Sequence, residues 1–213
     1  MEITRIVNKW LHSNTYILSE RENDDVWLVD CGDFDKVDLW LEENHKQLVG
    51  ILVTHSHHDH IYGITDALRK FPNVHIYISQ NMGREYMKDS KLNMSRYSDT
   101  IVSIESDRFC EVSDNEKIEI YPNVEVSVID TPGHTPDCVS YLIQNYLFTG
   151  DAYIPHLKMT SRSKGGNKEH LVSSMLKLFD IIKKEKLTVC PGHNEIETVS
   201  QLKDDLICTI HIH

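Results

Sequence analysis

The chain of 213 residues contains no apolar run of the length a membrane span requires, so no bilayer crossing is expected. Its first residues, Met1-Glu2-Ile3-Thr4-Arg5, lack the apolar centre and cleavage site of a secretory leader. The cysteines number five, an odd count, and Cys31, Cys110, Cys138, Cys190 and Cys208 show no paired spacing. That argues against a disulfide framework and for buried or incidental thiols in a reducing cytoplasm. No internal repeat or low-complexity tract appears. Positive charge is also short: 22 Lys and Arg stand against 33 Asp and Glu, a formal net charge of −11. Such a surface repels phosphate backbones unless basic residues are segregated, so no nucleic-acid partner is expected. Apolar residues make up 40% of the chain, enough for a core.

What the chain does have is histidine, concentrated. Thr54-His55-Ser56-His57-His58-Asp59-His60 follows directly on the apolar run Ile51-Leu52-Val53. Imidazole and carboxylate are the side chains that bind zinc and similar divalent ions at neutral pH. His55 and His57 are two apart, so in extended chain they fall on one side and can share an ion. Asp59 and His60 lie past the turn, where Ile61, Ile64 and Leu68 at helical spacing predict a helix. They point elsewhere and can serve a second ion.

Three later segments repeat the form of apolar run, sharp turn and ligand-type residue. They are Val126 to His134, Tyr146 to Asp151, and Leu187 to His193. Pro132-Gly133 and Pro191-Gly192 mark turns, where glycine permits positive φ beside a crowded site. One such turn means little, but a set that all end predicted strands points to a shared centre. The ligands run from His55 to His193 and must converge, so a single domain over 1–213 is expected, with 209–213 a frayed or added tail.

On His55, His57, Asp59, His60, His134, Asp151 and His193 the chain resembles the metallo-β-lactamase superfamily, from about Asn14 to about Glu195. Within it the likeness is to glyoxalase II-type thioesterases and their short relatives. The resemblance implies an α/β fold, a four-layer αβ/βα sandwich with metals along one edge of its sheets. It implies that one ion takes His55, His57 and His134, that a second takes Asp59, His60 and His193, and that Asp151 bridges them. Zinc is the expected metal, with iron or manganese as alternatives. Two ions roughly 3.5–4 Å apart polarise an acyl oxygen and supply a nucleophilic hydroxide at neutral pH. Asp59 and Asp151 are then the catalytic carboxylates, with Asp59 orienting that hydroxide. His58 sits at a position the family leaves variable and reads as a non-ligand.

Two departures bear on substrate. Asp137 stands where the family usually carries a small residue. Ala152 to Met159 does not match the glutathione-binding loop of glyoxalase II, and that enzyme's helical C-terminal substrate domain is not expected here, so a glutathione thioester is not the expected substrate. The expected function is hydrolysis of a small ester, thioester or lactone. Tyr153, His156, Lys158 and Arg162, in the loop after Asp151, are the candidate substrate residues, and the two cations favour an anionic small molecule. A mononuclear-iron oxygenase resembling the persulfide dioxygenases is the alternative, and a phosphodiesterase or ribonuclease a weaker one. Every ligand position is filled, which argues against a decayed, non-enzymatic module.

Strands are predicted over Ile3–Val7, Thr15–Leu18, Val26–Asp30, Val49–Val53, Val74–Ile78, Lys117–Ile120, Val124–Ile129, Val139–Ile143 and Tyr146–Thr149. Helices are predicted over Asp33–Glu43 with Asp33 as a possible N-cap, Asn81–Lys88, Glu169–Lys183 and Glu195–Ile207. Ser90–Asp107 has no clear period and reads as a loop or lid.

Overall fold

The structure is a computed structural model that describes residues 1–184 and 186–199. It divides into two compact units, Met1–Val112 and a second beginning at Ser113. The first unit carries a six-stranded sheet in the order β1 (Glu2–Val7), β2 (Asn14–Glu20), β3 (Asn23–Val29), β4 (Gln47–Leu52), β5 (His75–Ser79), β6 (Phe109–Val112). β1, β2 and β3 pair antiparallel, whereas β3 to β6 pair parallel. The parallel half needs crossovers, and α1 (Phe34–Asn44), α3 (Ile64–Lys70) and α4 (Gly83–Lys88) provide them. β4 is interior, and its Ile51 and Leu52 are wholly buried, as the continuous apolar run of a parallel strand requires. Each such side chain contributes about 1.5–3 kcal/mol by leaving water. Val37, Leu41, Ile51, Ile64 and Ile76 meet in one apolar core.

The second unit repeats the plan. Its sheet runs β12 (Glu197–Val199), β11 (Leu187–Pro191), β10 (Tyr146–Gly150), β9 (Val139–Ile143), β8 (Val124–Asp130), β7 (Lys117–Tyr121). Only β10 and β11 pair parallel, and α5 (Lys168–Lys184) crosses between them. The α5 stripe Leu171, Met175, Leu178, Phe179, Ile182 faces this unit's core, as its period predicts.

Several local expectations change. The helix after the histidine motif is two helices, α2 (His58–Ile61) and α3, broken at Tyr62-Gly63. The Gly63 N–H turns away to Cys31 O at 3.0 Å, and a Cβ on Gly63 would sit 2.1 Å from Gly32 O. Asp33 stands at the α1 N-cap but makes no side-chain cap bond. Its carboxylate instead accepts from the Lys9 N–H, the Lys36 ammonium and the Tyr62 hydroxyl. Burial opposes the Asp33 charge, but these donors together hold its carboxyl below the usual range.

Ser90–Asp107 is mostly irregular, as expected, and is tied down locally. It contains one 3-10 turn, Ser95–Tyr97, and Asn93 and Ser95 both donate to Val102 O, with Val102 and Ile104 buried. β6 escaped the sequence pattern because it is only four residues long. Glu197–Val199, read as helical, pairs with Leu187–Val189 as a strand, Glu195 and Ile196 are irregular, and residues 200–207 of that predicted helix lie outside the described residues.

Gly133 has a φ of +140°, and a Cβ there would lie 2.3 Å from the Leu171 backbone. Gly133→Ala is expected to destabilise the protein by about 2–5 kcal/mol, combining backbone strain with overpacking. Urea unfolding measures this, and a change below roughly 1 kcal/mol would contradict the close approach.

Candidate functional site

In the first unit the end of β4 is held from both sides. Asp30 N–H donates to Leu52 O at 2.9 Å, and Val53 N–H to Tyr77 O at 2.9 Å. The chain then passes His55, reaches His57 in extended form and turns into α2, which carries Asp59 and His60. All four side chains are buried. His55 Nε2 and His57 Nδ1 are 3.1 Å apart, and His60 Nε2 is 3.4 Å from Asp59 Oδ2. The ligand atoms of His55 and His60 fall within 4.8 Å of each other, so the four form one cluster.

One residue that the sequence pattern did not single out organises this cluster. Asp30 closes β3 with a left-handed φ of 58° and is buried. Its Oδ1 accepts the Thr54 N–H at 2.7 Å, and its Oδ2 accepts the Thr54 hydroxyl at 2.8 Å and His60 Nδ1 at 2.7 Å. A carboxylate only accepts, so His60 carries its proton on Nδ1 and presents a lone pair at Nε2. The Thr54 proton is committed to Asp30, so its oxygen accepts from His55 Nδ1 at 3.3 Å, which leaves Nε2 of His55 as donor atom. The backbone sign is the left-handed turn at Asp30, which sequence alone does not display.

The second unit gathers the other three residues. β10 and β11 are parallel neighbours, so Asp151 and His193 leave adjacent strand ends, and Gly192 N–H donates to Gly150 O at 2.8 Å. Gly133 has the positive φ expected of its turn, whereas Gly192 is not among the positive-φ glycines and Asn194 takes that conformation at 68°. Asp151 Oδ2 is 3.6 Å from His134 Nε2 and 3.6 Å from His193 Nε2. His134 Nδ1 donates to Thr160 O at 3.0 Å, which again directs Nε2 inward. Asp137 is buried and accepts from the Thr135 hydroxyl at 2.6 Å, so this departure is satisfied within the turn.

The donor set fits a divalent ion. Two nitrogen or oxygen ligands on a tetrahedral zinc with bonds of about 2.0–2.1 Å lie about 3.3 Å apart. The separations within each unit run from 3.1 to 3.6 Å. Buried imidazoles whose Nδ1 protons are fixed by oxygen acceptors are the usual outer arrangement of metal-binding histidines.

The candidate substrate residues divide. Tyr153 is wholly buried, edge-on to Phe179 with centroids 5.1 Å apart, inside the second core. The ring packs that core. His156 is exposed and lies 2.9 Å from Glu197 Oε2. Lys158 and Arg162 are exposed. His58 packs its ring near Trp10 and Tyr62, and burial lowers its basicity against the opposing pull of Asp59. His12, His45, His75 and His170 are exposed, and His211 and His213 lie outside the described residues.

Residues 8–193 match the model of the metallo-beta-lactamase superfamily, and the chain belongs to that superfamily. It is 31% identical over 141 residues to a hydroxyacylglutathione hydrolase of Actinobacillus pleuropneumoniae serotype 5b, covering 66% of this chain and 50% of that protein. The chain thus spans about half the length of such relatives. Among solved structures it resembles BLEG-1 B3 metallo-beta-lactamase, with TM-score 0.83 and 26% identity over 95% of this chain and 97% of that one. It also resembles ETHE1 from Myxococcus xanthus, with TM-score 0.73 and 22% identity over 95% and 82%, which bears on the fold alone. The fold is the α/β metallo-β-lactamase fold, as the resemblance implied. Among the described residues no helix is long and apolar enough to cross a membrane.

Two predictions follow from these contacts. Asp30→Asn sets an amide where two donors converge, and it is expected to weaken metal binding about 10–100-fold in chelator competition. Unchanged affinity would show that Asp30 does not hold His60. Burial raises the Cys31 and Cys138 thiols far above their usual range and pushes Cys190 up to about 12. Thiolate is the reactive form, so in a Cys208→Ser background only Cys110 should react with Ellman's reagent at pH 8 before unfolding.

Proposed function

We propose that the two units act as one domain and pool their ligands into a single binuclear centre of a hydrolase. The observation that carries this is the Asp151 Oδ2 atom, placed equally far from His134 and His193, as a carboxylate shared between two ions would be. In this reading His55, His57 and His134 would hold the first ion, Asp59, His60 and His193 would hold the second, and Asp151 would serve both. Zinc suits the imidazole and carboxylate donors, with iron or manganese as alternatives. Ions held by these residues would supply Lewis-acid polarisation of an acyl oxygen and a hydroxide nucleophile at neutral pH.

The chain's residues do the rest. Asp59 orients the nucleophile through its carboxylate. Asp30 and Thr160 O hold the imidazoles in one tautomer and one rotation, so little reorganisation is needed during turnover. Lys158 and Arg162 draw an anionic substrate toward a chain of net charge −11. The substrate class is a small ester, thioester or lactone. The hydrolase relatives favour the thioester, but the match covers half their length, and the acyl-glutathione substrate in their name is not carried over. The setting proposed is the cytoplasm, with no nucleic-acid or membrane partner.

The test joins metal analysis with kinetics on thioesters, lactones, β-lactams and phosphodiesters. Two zinc per chain with thioester or lactone turnover supports the reading. One iron with oxygen consumption supports the oxygenase instead. Asp151→Ala should lose one metal equivalent and lower kcat by about a thousandfold or more, because several kcal/mol of charge stabilisation go with the second ion. Two metals and full activity in that variant would refute the bridge. Lys158→Ala and Arg162→Ala should each raise KM about 2- to 5-fold for anionic substrates with kcat nearly constant, since an exposed charge contributes up to about 1 kcal/mol.

A further inference from the structure

Helix α2 is only four residues long, yet it carries Asp59 and His60. A helix of one turn leaves its last carbonyls without intrahelical donors. The His60 carbonyl accepts the Cys31 N–H at 2.8 Å. The Asp59 carbonyl would normally wait for the Gly63 N–H, but that group donates to Cys31 O instead. The partner of the Asp59 carbonyl is the Ser13 hydroxyl, at 2.7 Å, from the loop between β1 and β2.

The direction of this bond is fixed by its other neighbour. Asn8 Nδ2 lies 3.0 Å from Ser13 Oγ and 3.1 Å from Thr15 Oγ1. An amide NH₂ can only donate, so Ser13 Oγ accepts there and its single proton goes to Asp59 O. The Asn8 amide is itself immobilised, since its Oδ1 accepts the Asp33 N–H at 2.9 Å and its backbone N–H donates to Ser13 O at 2.8 Å. Asn8 and Ser13 are both buried. The loop reaches this arrangement through Leu11 and His12, at φ 51° and 55°, two successive non-glycine residues in the left-handed region. That conformation is costly and persists only where surrounding contacts over-determine it.

We propose that Ser13, oriented by Asn8, is a positioning residue for Asp59: it caps the ligand helix at the Asp59 carbonyl and so sets affinity at the second metal ion. Asp59 lies within α2, whereas His55 lies before it on chain that Asp30 holds through Thr54, so loss of this bond should bear first on Asp59. The inference rests on the two-ion reading above.

The experiment is zinc titration of the metal-free protein against a chromophoric chelator, with thermal unfolding of the same samples. Wild type should take up two equivalents. Ser13→Ala should stay folded, keep one step within about threefold of wild type, and weaken the other about 10–100-fold. The weakened step should be the one that His193→Ala abolishes. Ser13→Thr restores the hydroxyl and should restore the second step. Asn8→Ala, which frees the hydroxyl to rotate, should weaken the same step by about 3–10-fold, and it serves where threonine does not fit. If the network only folded its loop, Ser13→Ala would lower stability and weaken both steps equally, and the proposal would fall. Two wild-type steps in Ser13→Ala would also overturn it. A wild-type protein that binds one equivalent would remove the two-ion reading, and this inference with it.

Discussion

Two of the four ligand-type side chains at the candidate site of the first unit, His55 and His60, are set by one buried carboxylate. Asp30 accepts from the Thr54 backbone, the Thr54 hydroxyl and His60, and through Thr54 it also fixes His55. A charge in that position is tolerable only because each oxygen meets donors, and removing one partner of such a group costs more than the bond itself contributes. The orientation of two histidines, and which ring nitrogen of each faces the oxygen acceptor, thus follows from a residue with no place in the expected ligand set. The same residue ends β3 and bonds to the end of β4, so the sheet's register and the ligand orientation are set together.

The second unit solves the same problem with backbone. Its parallel pair, β10 and β11, brings Asp151 and His193 side by side without a long connection between them in space. His134 comes from a turn that only glycine allows, because Leu171 of α5 packs against Gly133. The acceptor that orients His134 is the carbonyl of Thr160, in the loop that the sequence marks for substrate selection. That loop therefore has a structural duty near Thr160, while Lys158 and Arg162 stand exposed beside it. Tyr153 belongs to the core beneath it.

Much of this was legible in the sequence because the periodic signals were strong. Ile51-Leu52-Val53 ahead of the histidines marked an interior strand, and the α5 stripe marked a helix; both stand where the pattern placed them. The elements that were misread are those that tertiary pairing decides. β6 has four residues, and β12 gains its strand form from Leu187–Val189 rather than from its own propensity. The break between α2 and α3 follows from Gly63 lying against Gly32, a long-range contact with no local trace. Asp30, Ser13 and Thr160 were hidden for a related reason. An aspartate after a strand, a serine in a loop and a backbone carbonyl have no distinctive spacing, and their roles appear only when partners distant in sequence are seen together.

The central claim is that ligands from both halves of the chain hold two adjacent ions. X-ray absorption at the zinc edge, on protein loaded with two equivalents, tests it most directly. The account predicts a shell of nitrogen and oxygen only, strong imidazole scattering, and a metal–metal distance of about 3.5–4 Å. Sulfur in the first shell, or the absence of any metal–metal scattering with two zinc bound, would contradict it.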